Sequence, residues 1–86
     1  MQTNRGLEAV LMSWPQQLTR RGVAVTMQAD QILFSNFSLG NGCVLLERAT
    51  PDSVGGRMVI VPFDQLAAVK LTETPPQETL TKLGFS

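Results

Sequence analysis

The chain has no histidine, one cysteine and no surplus of either charge, and no apolar run in it approaches the length of a membrane span. Each shortage excludes something. Cys43 has no partner for an internal disulfide, and a structural zinc site would lack its usual thiolate and imidazole ligands. Between Gly42 and Val44, and without a cationic neighbour to make it reactive, Cys43 is expected to behave as a small buried hydrophobe. General acid–base catalysis usually recruits histidine; without it the candidates are three aspartates, four glutamates and two lysines scattered over turns. None forms a visible pair. Asp30, Asp52 and Asp64 each stand beside a turn residue, where capping a backbone N–H is the ordinary role of a carboxylate. The expectation is a protein that is not an enzyme and holds no cofactor or metal. Seven basic and seven acidic residues cancel, so there is no global positive field for binding nucleic acid by charge alone. Glu8 interrupts the apolar residues that follow Arg5, which argues against a signal-peptide core; a cytoplasmic protein without membrane contact is expected. The 86 residues support one domain with a small core. With disulfides and metals set aside, oligomerisation remains as a source of added stability.

Leu7, Val10, Leu11, Trp14 and Leu18 follow the spacing of one helix face, which predicts a helix near 4–14 with Thr3 or Asn4 as its cap. Pro15 stops it or restarts it in a new first turn, and the apolar face is expected to cover the open end of a β core. At Val23 the period changes to two. Val23, Val25 and Met27 alternate with Ala24 and Thr26 as a half-buried strand that ends at the turn Ala29-Asp30. In the second strand, 31–39, Ile32 and Phe34 have the opposite parity to Phe37 and Leu39, which requires a bulge or sharp bend near Ser35-Asn36. Gly40-Asn41-Gly42 turns the chain into a third strand, Cys43 to Ala49, and Thr50 to Gly56 forms a hairpin loop. Gly55-Gly56 lacks the following Lys-Ser/Thr and helix of a phosphate loop. The run from Arg57 to Val61 is apolar on both parities after its arginine, so burial of both faces is expected, with Pro62 ending the strand. Phe63 to Leu66 reads as one tight turn, and Ala67 to Thr72 as a fifth strand with Val69 and Leu71 inward. Beyond Thr74-Pro75-Pro76, the segment 75–86 is either a short helix closed by Gly84 or a loose tail.

A helix followed by five short bent strands, with a tight turn between the fourth and fifth, resembles the Sm and Sm-like family. The resemblance covers residues 4–72, within a domain of residues 1–74. Its most specific stretch is Val59-Ile60-Val61-Pro62-Phe63-Asp64-Gln65-Leu66-Ala67-Ala68-Val69, which looks like the family's second motif of apolar strand, polar turn and apolar strand. The family's first motif usually has a glycine in strand two and an acidic residue followed by asparagine before strand three. This chain has Phe34 or Ser35, Ser38 and Gly42 near those places. The resemblance implies a mainly β fold, a strongly bent five-stranded antiparallel small barrel of Sm-like or SH3-like type behind an N-terminal helix. It also implies a cyclic homo-oligomer in which Met58, Val59, Ile60 and Val61 of one copy pair with Ala67, Val69 and Leu71 of the next.

Two functions follow as expectations. The first is a ring of identical copies serving as an interaction or scaffold module, with itself as partner. The second is RNA binding, weak and local, at a pore formed by Phe63, Asp64, Arg57 and Asn41, with Arg20, Arg21 and Arg48 adding phosphate contacts. Asp64 would repel phosphate there, and Phe63 would either stack on a base or plug the end of the barrel.

Overall fold

The computed structural model describes residues 5–85. Helix α1 (Arg5–Met12) is followed by strands β1 (Gly22–Thr26), β2 (Gln31–Leu39), β3 (Cys43–Arg48) and β4 (Met58–Pro62), a single 3-10 turn (Phe63–Gln65), strand β5 (Leu66–Lys70) and helix α2 (Gln77–Lys82). The expected caps Thr3 and Asn4 lie outside the described residues. After α1 the chain does not resume a helix at Pro15; one turn, closed by the Leu18 N–H donating to the Pro15 carbonyl at 3.1 Å, carries Leu18 into the core. There the Leu18 carbonyl accepts the Trp14 Nε1–H at 3.0 Å, so the buried indole keeps no unpaired donor.

All strand pairs are antiparallel and the order across the sheet is β4-β3-β2-β1-β5. In a flat sheet the outer strands would lie roughly 19 Å apart, four spacings of about 4.8 Å. A 3-10 path from Pro62 to Leu66 spans only about 8 Å. The sheet must therefore curl until its two ends approach. The bend expected in β2 supplies part of this: Phe34 faces Arg48 while Asn36 faces Glu47, so Ser35 is an extra residue. The bulge reconciles the two parities, and Ile32, Phe34 and Phe37 all point into the core. A second irregularity lies in β5, where Ala68 faces Val25 and Leu66 faces Thr26, leaving Ala67 as the extra residue. The ladder does not close, and β4 and β5 remain its two ends.

Several expectations change on inspection. In β1 the fully buried positions are Gly22 and Ala24, and Val23 and Val25 are only half-buried. The core leaves no room for more at this place, since a Cβ on Gly22 would meet the Lys70 carbonyl oxygen at 2.5 Å. Strand β4 does not bury both faces: Val61 is in the core, but Met58 is 57% and Ile60 68% exposed. The reason is position, because β4 is an outer strand. Pro62 ends the strand as expected, and is itself its last residue. An outer strand tolerates a residue without an N–H wherever that group would have pointed away from the neighbour. Leu71 falls beyond the end of β5 and is 37% exposed. Cys43 is half-buried, not sequestered.

Helix α1 packs on β5 and the 3-10 turn, as a cover for one end of the core. The segment after Pro76 is helical. It closes with Gly84 at φ +106°, where the Phe85 N–H donates to the Leu80 carbonyl at 2.9 Å and the Gly84 N–H to the Thr81 carbonyl at 3.0 Å. This pairing of donors is the Schellman arrangement, and it folds Phe85 back beside Leu80.

Candidate functional site

The residues expected at a pore divide between two ends of the molecule. At one end the turn Gly40-Asn41-Gly42 meets the 3-10 turn, because Cys43 pairs with Pro62 and the Phe63 N–H donates to the Gly42 carbonyl at 3.1 Å. This brings exposed Asn41 and exposed Asp64 onto adjacent loops. The Phe63 ring is not with them. It is 4% exposed, packed in the core, and it offers no open face for a base. Arg57 precedes β4, roughly 20 Å along the strand from Phe63 at about 3.3 Å per residue, so it does not join the other three.

The remaining arginines are also dispersed. Arg20 lies with its guanidinium carbon 4.6 Å from the centroid of the Phe37 ring, and its Nη1–H donates to the Phe37 carbonyl at 2.9 Å. That is a packing role, with the cation stacked on an aromatic face. Arg48 donates from Nε to the Thr50 carbonyl at 3.2 Å and helps order the loop between β3 and β4. Arg21 and Arg57 are exposed.

Asp52 organises that loop. Its Oδ1 accepts the Gly56 N–H at 2.7 Å and the Val54 N–H at 3.0 Å, and Gly55 takes φ +86°, a conformation glycine adopts without penalty. The Gly56 amide holds the Asp52 carboxyl below the usual carboxylate range, desolvation opposes this, and the Val54 amide, the Arg48 charge and the Gly55 amide add to the lowering. A depressed acid stabilises the fold above its unfolded value, and that contribution is lost as pH falls through the folded one. The amides of Val54 and Gly56 are therefore expected to exchange slowly at neutral pH and to lose protection on acidification below the carboxylate range. Protection factors measured by NMR that stay unchanged across this window would refute the cap. Asp30 plays no such part: its own N–H donates to Thr26 Oγ1 at 3.2 Å.

Among the described residues no three histidine, cysteine or acidic side chains stand together as metal ligands, and no helix is long and apolar enough to cross a membrane. What the structure does concentrate is apolar surface at the two outer strands. The Arg48 N–H donates to the Arg57 carbonyl at 2.8 Å and the Phe63 N–H to the Gly42 carbonyl, one at each end of the β3–β4 ladder. Bonded pairs alternate in an antiparallel ladder, so Val59 and Val61 turn their backbone groups to β3 while Met58 and Ile60 turn theirs away. These free groups lie along an edge whose Met58 and Ile60 side chains point out of the core. The same alternation runs from the bond between the Thr26 N–H and the Asp30 carbonyl through Val23 and Val25, and it leaves Val69 facing the free side of β5.

A cavity of about 160 Å³ opens beside that second edge. Its walls are Leu7, Val10 and Trp14 from the α1 segment, Val69 and Leu71 from β5, and Leu80, Leu83 and Phe85 from the C-terminal segment. The C-terminal wall was not anticipated from the sequence. Its signal was present in the apolar spacing of Leu80 and Leu83 ahead of Gly84. Comparison with protein-family models, with curated proteins and with solved structures returns no match for this chain.

Proposed function

We propose that the chain is the protomer of a homo-oligomeric ring of Sm-like or SH3-like small barrels, acting as a scaffold that presents a repeated surface. One observation carries this reading: the sheet ends in two unpaired strands, β4 and β5, and the outer side of β4 exposes Met58 and Ile60. An exposed apolar edge strand pairs with whatever backbone it meets unless a specific partner covers it. Joining β4 of one copy to β5 of the next satisfies both edges, and repetition around an axis closes the set. A twofold joint between two β4 strands would leave both β5 edges open. The Asp64 carboxylate at the Asn41–Asp64 end and the dispersal of the arginines favour protein contacts over RNA as the task of the assembled surface.

Native mass measured by light scattering at micromolar concentration, with and without added oligouridine, tests the proposal. A multiple of the 9.4 kDa protomer mass that is independent of RNA is expected. A stable monomer ends the ring proposal, and assembly only when RNA is added would favour an RNA-binding module instead.

A further inference from the structure

The geometry points to a defined lock between copies: Ile60 of one protomer enters the apolar cavity between α1, β5 and α2 of the next. The inference rests on the ring reading above and adds which surfaces meet and with what polarity. It begins with backbone parity. On β4 the residues whose N–H and C=O face the free edge, Met58 and Ile60, carry side chains on the outer face of the sheet. On β5 the corresponding residue, Val69, carries its side chain on the inner face, where it lines the cavity.

Two joints satisfy the hydrogen bonds. In a parallel joint the inner faces of both copies lie on the same side, and Ile60 stands beside exposed Ala68 and Lys70. In an antiparallel joint, residues directly opposite share one side of the sheet. The outer face of β4 then continues into the inner face of the neighbour's β5, and Ile60 stands opposite Val69 with the cavity mouth beyond it. Chemistry selects the second. It sets a branched aliphatic side chain against Val69, Leu71 and Leu80, where the first sets it against an ammonium group. Size agrees as well, since an apolar cavity of about 150 Å³ accepts a six-carbon ring, and the cavity here is about 160 Å³. The four-carbon side chain of Ile60 fits within it. On this account α2 is part of the socket, because Leu80 and Phe85 form its outer wall.

Directed disulfide formation tests the lock. In a Cys43→Ser background, a protomer carrying Ile60→Cys is mixed with a tagged protomer carrying Leu80→Cys, with oxidised glutathione supplied as the oxidant that takes up the two electrons. A control mixture pairs Ile60→Cys with Val54→Cys, which is on the exposed loop between β3 and β4. Assembly raises the effective thiol concentration from micromolar toward millimolar, so the Ile60–Leu80 pair is expected to form at least about tenfold more mixed disulfide than the control. Should Leu80→Cys fail to fold, Phe85→Cys at the exposed rim takes its place with the same expectation. An assembly of unchanged native mass with no more mixed disulfide than the control overturns the lock and leaves the ring standing. A monomer of the unaltered protein overturns both.

Discussion

Replacing Phe37 with alanine is expected to cost about 3–5 kcal/mol of unfolding free energy, the range for a large aromatic removed from a packed core. The ring is 2% exposed. Its centroid lies 5.2 Å from that of Trp14 and 6.0 Å from that of Phe34, both edge-on, an arrangement worth about 0.5–1.5 kcal/mol per pair beyond simple burial. Arg20 lies over the ring, so truncation also removes a cation–π contact. The bulge adds to the consequence, because the Phe37 N–H donates to Asn36 Oδ1 at 2.9 Å and the aromatic side chain anchors the strand just past its bend. A small domain has about 5–15 kcal/mol in total, so this one change removes a large part of it. Urea denaturation followed by Trp14 fluorescence, at one fixed protomer concentration because the proposed assembly would also stabilise, gives the value. A loss below about 1 kcal/mol would contradict the central place given to this ring.

Replacing Ile60 with aspartate is expected to act on assembly while sparing the fold. The side chain is 68% exposed in the single chain, so a carboxylate there remains hydrated in the monomer. In the joint it would be enclosed by apolar groups with no partner. Leaving a charge unsatisfied in such a place costs more than about 3 kcal/mol, a loss of over a hundredfold in affinity. The expected product is a soluble monomer with the circular dichroism spectrum of the parent. Persistence of the parent's oligomeric mass would remove β4 from the interface.

Much of the local structure was legible in the sequence because it rests on short-range rules. The parity conflict within 31–39 placed a bulge near Ser35-Asn36, where Ser35 is the extra residue, and the glycines and prolines marked most turns within a residue or two. What failed was global. Apolar residues on both sides of 58–61 are equally compatible with a central strand and with an outer strand awaiting a partner, and only the order of the sheet distinguishes them. Alternation in 23–27 separates two faces without saying that the smaller residues, Gly22 and Ala24, face the crowded side. Arg20 was expected among phosphate contacts because nothing near it in sequence announces Phe37, seventeen residues on. The cavity escaped for a similar reason, being assembled from three segments spread across the chain.

The 3-10 turn at Phe63–Gln65 has a consequence for symmetry. Three residues connect the two unpaired strands, with Phe63 anchored to Gly42 on one side and Gln65 to the Met27 N–H at 2.8 Å on the other. The directions of the two strands are therefore set relative to each other by one short, doubly tethered link. In the proposed ring, each copy added head to tail would repeat that same angular increment, and the increment would divide the full circle into the number of copies. In such a ring the turn would act as a protractor: lengthened by one residue, it would change the count of protomers or open the circle into a helix, with every side chain at the joint unaltered.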